Sequence, residues 1–122
     1  MALAIGALSG CGAGPETAVV LEVDRALSPA QALDLIEFRV IFHNNDRPCD
    51  RLLDQPTTAG LYEAIGRVSD PNAQVEEIRA GTYAVVAYAG RALDDPRVIG
   101  CVAGVRITDG ERTEITVQLR LR

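Results

Sequence analysis

Apolar side chains recur at every second position along much of the chain, the period of strands with one buried face. Val19, Leu21 and Val23 alternate with polar or small neighbours. Ile36, Phe38, Val40 and Phe42 fall on one face of a second run and Glu37 and Arg39 on the other, and Asn44-Asn45-Asp46 with Pro48 ends it. Tyr83, Val85 and Ala87 share a face, with Val86 and Tyr88 opposite, and Gly90 and Asp94-Asp95-Pro96 close that segment. Ile99, Cys101, Ala103, Val105 and Ile107 share the next face, which directs Cys101 into the core. Asp109-Gly110 marks a two-residue hairpin turn. After it Thr113, Ile115, Val117, Leu119 and Leu121 alternate with Glu114, Thr116, Gln118, Arg120 and Arg122.

Helical signals are few. Ser28-Pro29-Ala30-Gln31 reads as a helix start, with Ser as cap, Pro in the first turn and Gln reaching back. Residues 50–74 carry a mixed pattern: Leu61 and Ile65 stand at helical spacing, while Gly60, Gly66 and Asp70-Pro71-Asn72 favour loop with a short element. The expected fold is all-β, a two-layer antiparallel β-sandwich of about six or seven strands, Ig-like or prealbumin-like, with at most one short helix.

At 122 residues there is room for one domain with one core, and an apolar share of 48% is that of a globular chain. The formal charge of −5 argues against nucleic acid or an anionic lipid surface as the main partner, since both repel a negative surface. All twelve cations are Arg, a habit of GC-rich genomes that carries no information about activity. Phe38, Phe42, Tyr62, Tyr83 and Tyr88 are the only aromatic residues, too few for an extended stacking platform.

The apolar run Ala2–Leu8 is too short to span a bilayer. Leu8-Ser9-Gly10-Cys11 follows it, then Gly12-Ala13-Gly14-Pro15. This segment resembles the lipobox of bacterial lipoproteins, an aliphatic residue and two small ones before a Cys. The resemblance implies that residues 1–10 are a signal peptide, shortened at its cationic start and removed, and that residues 11–16 form a tether. Residues 17–122 would then be the β-sandwich domain. Cys11 would carry the lipid and hold the protein to a membrane, stably if two or more acyl chains are attached. Gly12 lacks the Asp associated with inner-membrane retention in some diderm bacteria, so the expected address is the cell envelope, and in a diderm host the outer membrane or the periplasmic face. With Cys11 lipidated, Cys49 and Cys101 remain as an even pair, read as a disulfide in an exported chain. The alternative is two inert buried thiols. Closing that loop is worth ~4 kcal/mol in the chain-entropy model.

Ile78-Arg79-Ala80-Gly81-Thr82-Tyr83-Ala84-Val85 is similar to a segment of prealbumin-like sandwiches, including carboxypeptidase regulatory-like domains. There a hydrophobic residue, a turn Gly and a Tyr lead into a core strand, the ring covering the end of the core. The resemblance spans residues 75–121, and it implies fold without catalytic residues.

Candidate chemistry is sparse. His43 is the only His, and with Cys49 or Asp46 it would be the one route to a nucleophilic pair. Its place beside an Asn/Asp-rich turn reads as a surface loop His, and no catalytic residue is expected. A zinc site needs more His or free Cys than the chain offers. Oxygen ligands for calcium would come from Asp94 and Asp95, or Asp46 and Asp50, but these read as solvated turn carboxylates. Glu76-Glu77 reads as a polar strand edge. No metal or cofactor is expected. The function these readings support is a non-catalytic, membrane-anchored envelope lipoprotein, structural or protein-interacting. The alternative is a small-ligand or carbohydrate-binding module using sandwich loops near Tyr62 or Tyr88.

Overall fold

β-Branched and aromatic residues at alternate positions build seven strands, seen in a computed structural model that describes residues 16–23, 26–75 and 77–122. The strands are β1 (Glu16–Val23), β2 (Glu37–Asn44), β3 (Tyr62–Arg67), β4 (Asn72–Val75), β5 (Gly81–Gly90), β6 (Pro96–Ile107) and β7 (Arg112–Leu121). Two short helices interrupt them, α1 (Pro29–Leu33) and α2 (Cys49–Asp54). The predicted all-β class holds, with two one-turn helices where at most one was expected.

Hydrogen bonding links the strands in the order β3-β2-β5-β6-β7-β1-β4. The succession folds over where β6 meets β7, so that β3-β2-β5-β6 faces β7-β1-β4. The main core lies between, with Phe38, Val40 and Phe42 from one layer against Val19, Val117 and Leu119 from the other. All pairs are antiparallel except β1 with β7, which run parallel from Glu16–Arg112 to Val23–Leu119.

The α1 start behaves as its sequence predicts: Ser28 Oγ accepts from the Gln31 amide, and Gln31 Oε1 accepts from the Ser28 amide. The mixed stretch 50–74 instead contains α2, β3 and β4. Leu61 and Ile65 belong to an extended segment and are both exposed, because Tyr62, Ala64 and Gly66 are the positions turned to the core. The Phe38 ring lies over Gly66, where a Cβ would come within 2.5 Å of it. That close approach favours glycine and blurs the strand pattern.

Two expectations about the C-terminal half are corrected. The first concerns Cys101. Its register with β5 slips by one residue between Tyr83–Val105 and Val85–Val102, and Gly104 at the slip has φ +70°. This bulge exchanges the faces of β6. Val105 and Ile107 therefore point into the main core, whereas Ile99 and Cys101 point to the outer side of the sheet. The second concerns the hairpin. Thr108–Glu111 does form a turn, closed by the Glu111 amide donating to the Thr108 carbonyl, with Gly110 at φ +76°. The ladder between β6 and β7, however, comprises Val98–Leu121 and Ile99–Arg120, at the far end from that turn. At Gly100 a Cβ would lie 2.1 Å from the Gln118 carbonyl oxygen, so β7 crosses over β6 there.

Glu76 lies outside the described residues. Glu77 follows β4 with φ +60°, a left-handed turn position and not a strand edge. Ile78 is buried, and the Tyr83 hydroxyl donates to the Arg79 carbonyl at 2.6 Å. The Tyr83 ring meets Phe42 and Tyr62 edge-on, each 5.9 Å away, at this end of the core.

Candidate functional site

Two places on the fold concentrate chemistry: a small cluster on the outer side of β2-β5-β6, and a cleft along the seam of β6 and β7. The outer cluster exists because β5 is apolar on both faces. Ala84, Val86 and Tyr88 turn outward, Ile41 joins them from β2, and Ile99 and Cys101 pack against them from β6. Bare apolar surface of this kind needs cover. Helix α2 supplies it through Leu52, and Cys49 at its first turn is bonded to Cys101, with Cα atoms 5.7 Å apart. The expected disulfide pair is present.

His43 belongs to the same outward face of β2 and is 2% exposed, so it is not a surface loop residue. The segment after α2 seals it: a Cβ on Gly60 would come 2.5 Å from Ile41 Cγ2 and 3.1 Å from His43 Cε1. Its Nε2 is buried without a hydrogen-bond partner. Burial, and then the positive charge of Arg47, push its pKa below the ordinary value. A histidine so placed is held neutral. Cys49 is committed to its disulfide, and Asp46 is exposed in the turn beyond β2, so neither expected partner makes a catalytic pair with it.

Tyr88 is fully buried, donating to the Leu93 carbonyl at 2.7 Å and accepting from Arg39 at 3.4 Å. Arg39 in turn holds Glu63 at 2.6 Å. Tyr62 accepts from the Arg79 amide at 3.2 Å. These rings are therefore parts of the wall and not an exposed stacking platform. Asp95 is paired with Arg97 at 2.9 Å, whose hydrogen bond holds its carboxyl below the usual range, and Asp50 accepts from the Arg51 amide at 3.0 Å. No group of three metal-ligating side chains occurs among the described residues. Cys11 and the whole segment 1–15 lie outside those residues.

The cleft encloses about 610 Å³. Ile99, Val102 and Leu121 supply apolar lining, Leu53 of α2 closes one end, and Thr116, Gln118, Arg120 and Arg122 line the β7 side. Sequence reasoning missed it because an unbroken hairpin leaves no seam; the signal present was Gly100 and Gly104 within a strand pattern.

No family model and no curated protein matches the chain. Its fold is similar to a chain of the type II cohesin–X-dockerin complex from Acetivibrio cellulolyticus, crystallised as a C-terminal interface mutant, with a TM-score of 0.55 at 14% identity. The N-terminal interface mutant of that complex gives 0.54, also at 14%. A candidate polysaccharide-binding protein (DUF1812) from Bacteroides thetaiotaomicron gives 0.52 at 10% identity. These matches cover 85–88% of this chain but 58% of the complex chains and 46% of the third protein. They establish a shared fold.

Proposed function

We propose that this chain is a lipid-anchored lipoprotein of the cell envelope whose β-sandwich acts as a non-catalytic protein-interaction module. The Cys49–Cys101 bridge carries the reading. Such a bond persists in an oxidising compartment. It accounts for two of the three cysteines, and the third, Cys11, stands at the position where the lipobox resemblance asks for lipidation. It also removes the Cys nearest in sequence to the only His from nucleophilic chemistry. The anchor would hold the domain at the cell envelope, and in a diderm host at the outer membrane or the periplasmic face.

A protein partner is preferred over a sugar. Phe38, Phe42, Tyr83 and Tyr88 are buried, and Tyr62 is engaged with Arg79 and Tyr83, so the rings that sugars stack on are spent inside the fold. The fold is shared both with chains of a cohesin–dockerin assembly and with a candidate polysaccharide-binding protein, so the preference rests on the buried rings.

Intact mass of the protein purified from membranes of its native host, before and after reduction, tests the address. A chain beginning at acylated Cys11 that gains two hydrogens on reduction is the expected result. A chain that keeps Met1, carries no lipid and has free thiols overturns it.

A further inference from the structure

Strand β7 presents Thr116, Gln118 and Arg120 outward at every second position, and Arg122 directly after it continues the series, a repeat of about 7 Å along an extended backbone. Beside it runs the cleft that opens where the β6–β7 ladder stops at Ile99–Arg120. Ile99, Val102 and Leu121 give the cleft apolar lining, the last 52% exposed. Among the described residues its charged side chains are Arg120 and Arg122, with no acidic side chain. In a chain of formal charge −5 this is a local reversal of sign. Arg120 donates to Gln118 Oε1 at 3.3 Å and Arg122 to the Asp54 carbonyl at 3.2 Å, both neutral acceptors. By contrast Arg39, Arg91 and Arg97 each meet a carboxylate of this chain.

We infer that this cleft docks an extended peptide segment of a partner protein carrying acidic residues at alternate positions, an inference that rests on the interaction-module reading above. A segment laid along β7 shares its two-residue repeat. Carboxylates at i and i+2 then reach Arg120 and Arg122 together, and the side chains between them turn down onto Ile99, Val102 and Leu121. The guanidinium fork accepts a carboxylate through two parallel hydrogen bonds, which gives register as well as attraction. Extended segments docked beside strands are read in this way, backbone for affinity and alternate side chains for specificity.

The test is titration of the oxidised, disulfide-bonded protein at low salt with a fluorescein-labelled peptide alternating valine and aspartate. The same peptide with lysine in place of aspartate is the control. The aspartate peptide is expected to bind, and Arg120→Ala combined with Arg122→Ala to weaken it by about tenfold or more. Backbone amide resonances of Gly100–Val102 and Thr116–Arg120 should shift, and those of β3 should not. Failure of the aspartate peptide to bind, equal binding of the lysine peptide, indifference to the arginine changes, or shifts confined elsewhere overturns the proposal. A photo-crosslinking residue placed at Thr116, and separately at Ile65 on β3, separates this failure from that of the broader reading. Specific adducts from Ile65 alone in the native envelope would dismiss the cleft and keep the interaction module. No adduct from either position would count against both.

Discussion

The main core and the outer cluster use the same residue types but are stabilised differently. The main core is closed from both sides by strands, and residues such as Phe38, Val40, Val85 and Val117 exclude water there, with the Tyr83 hydroxyl bonded at one end and Thr17 on β1 fully buried. The outer cluster has a sheet on one side only. Its other side is one short helix whose N-terminal Pro48 offers no side-chain cap, and Leu52 is the only buried residue of that helix. It also holds His43 with an unpartnered nitrogen. Apolar area suffices for the first region. The second depends on a covalent tie, because a six-residue helix is far too short to be stable alone.

The largest expected effect tests the self-sufficiency of the main core. Phe38→Ala should cost about 4 kcal/mol, since the ring is lost and Gly66 beneath it has no side chain to fill the space. Leu52→Ala in the outer cluster should cost about 2 kcal/mol, the low end for a buried leucine, because α2 can settle into the gap. Urea unfolding of both variants checks the order. Equal losses would mean that the two regions form one cooperative unit of equal density.

Next comes the tie. Replacing Cys49 and Cys101 by Ala should destabilise the domain by about 3 kcal/mol, within the usual range for a native disulfide and below the chain-entropy value for a loop of this length. The distinguishing readout is hydrogen exchange. Amides from Cys49 to Leu61 should lose protection far more than those of β1 and β7. Uniform loss across the molecule would show that the bridge acts on the unfolded chain alone and that α2 stays seated without it.

The same contrast explains what could be read in the sequence. Strands whose one face meets the main core were legible, because Val19-Leu21, Phe38-Val40-Phe42 and Ile115-Val117-Leu119 alternate cleanly. The lid was not legible, since Leu52 and Gly60 matter only once the outward face of β5 is known to be apolar. The even cysteine pair reveals the partner of Cys101 but the alternation does not reveal its direction, because one extra residue at Gly104 inverts the positions before it. The burial of His43 is hidden for a related reason: it comes from the segment at Gly60, seventeen positions later in the chain. Nothing local announces a contact of that kind.

Acid should weaken the outer cluster first. The folded-state pKa of His43 is lowered, chiefly by burial and then by Arg47, from an unfolded value near 6.5. Its contribution is therefore complete above that value. It is lost as pH falls below it toward the folded pKa, because the unfolded chain takes up the proton first. Melting temperatures of the native protein and of His43→Gln, followed from about pH 7.5 down to about pH 5, isolate this contribution from carboxylates that titrate lower. The native curve should fall more steeply. Parallel curves would mean that the imidazole finds a partner when protonated.

The smallest expected effect concerns Arg39, at the rim of the outer cluster. It holds Glu63 at 2.6 Å and donates to Tyr88, so its guanidinium gives the impression of a keystone. Its side chain is 20% exposed and that of Glu63 is 41% exposed, however, and pairs in such partly hydrated positions contribute about 0.2–1 kcal/mol. Against that stands a buried Nε with no hydrogen-bond partner. Arg39→Met keeps the apolar stem over the sheet, removes that orphan donor and leaves Tyr88 bonded to the Leu93 carbonyl. The net change should lie within about 0.5 kcal/mol of zero. A loss near that of Leu52→Ala would show that the outer cluster is held at its rim by charge as well as by the disulfide.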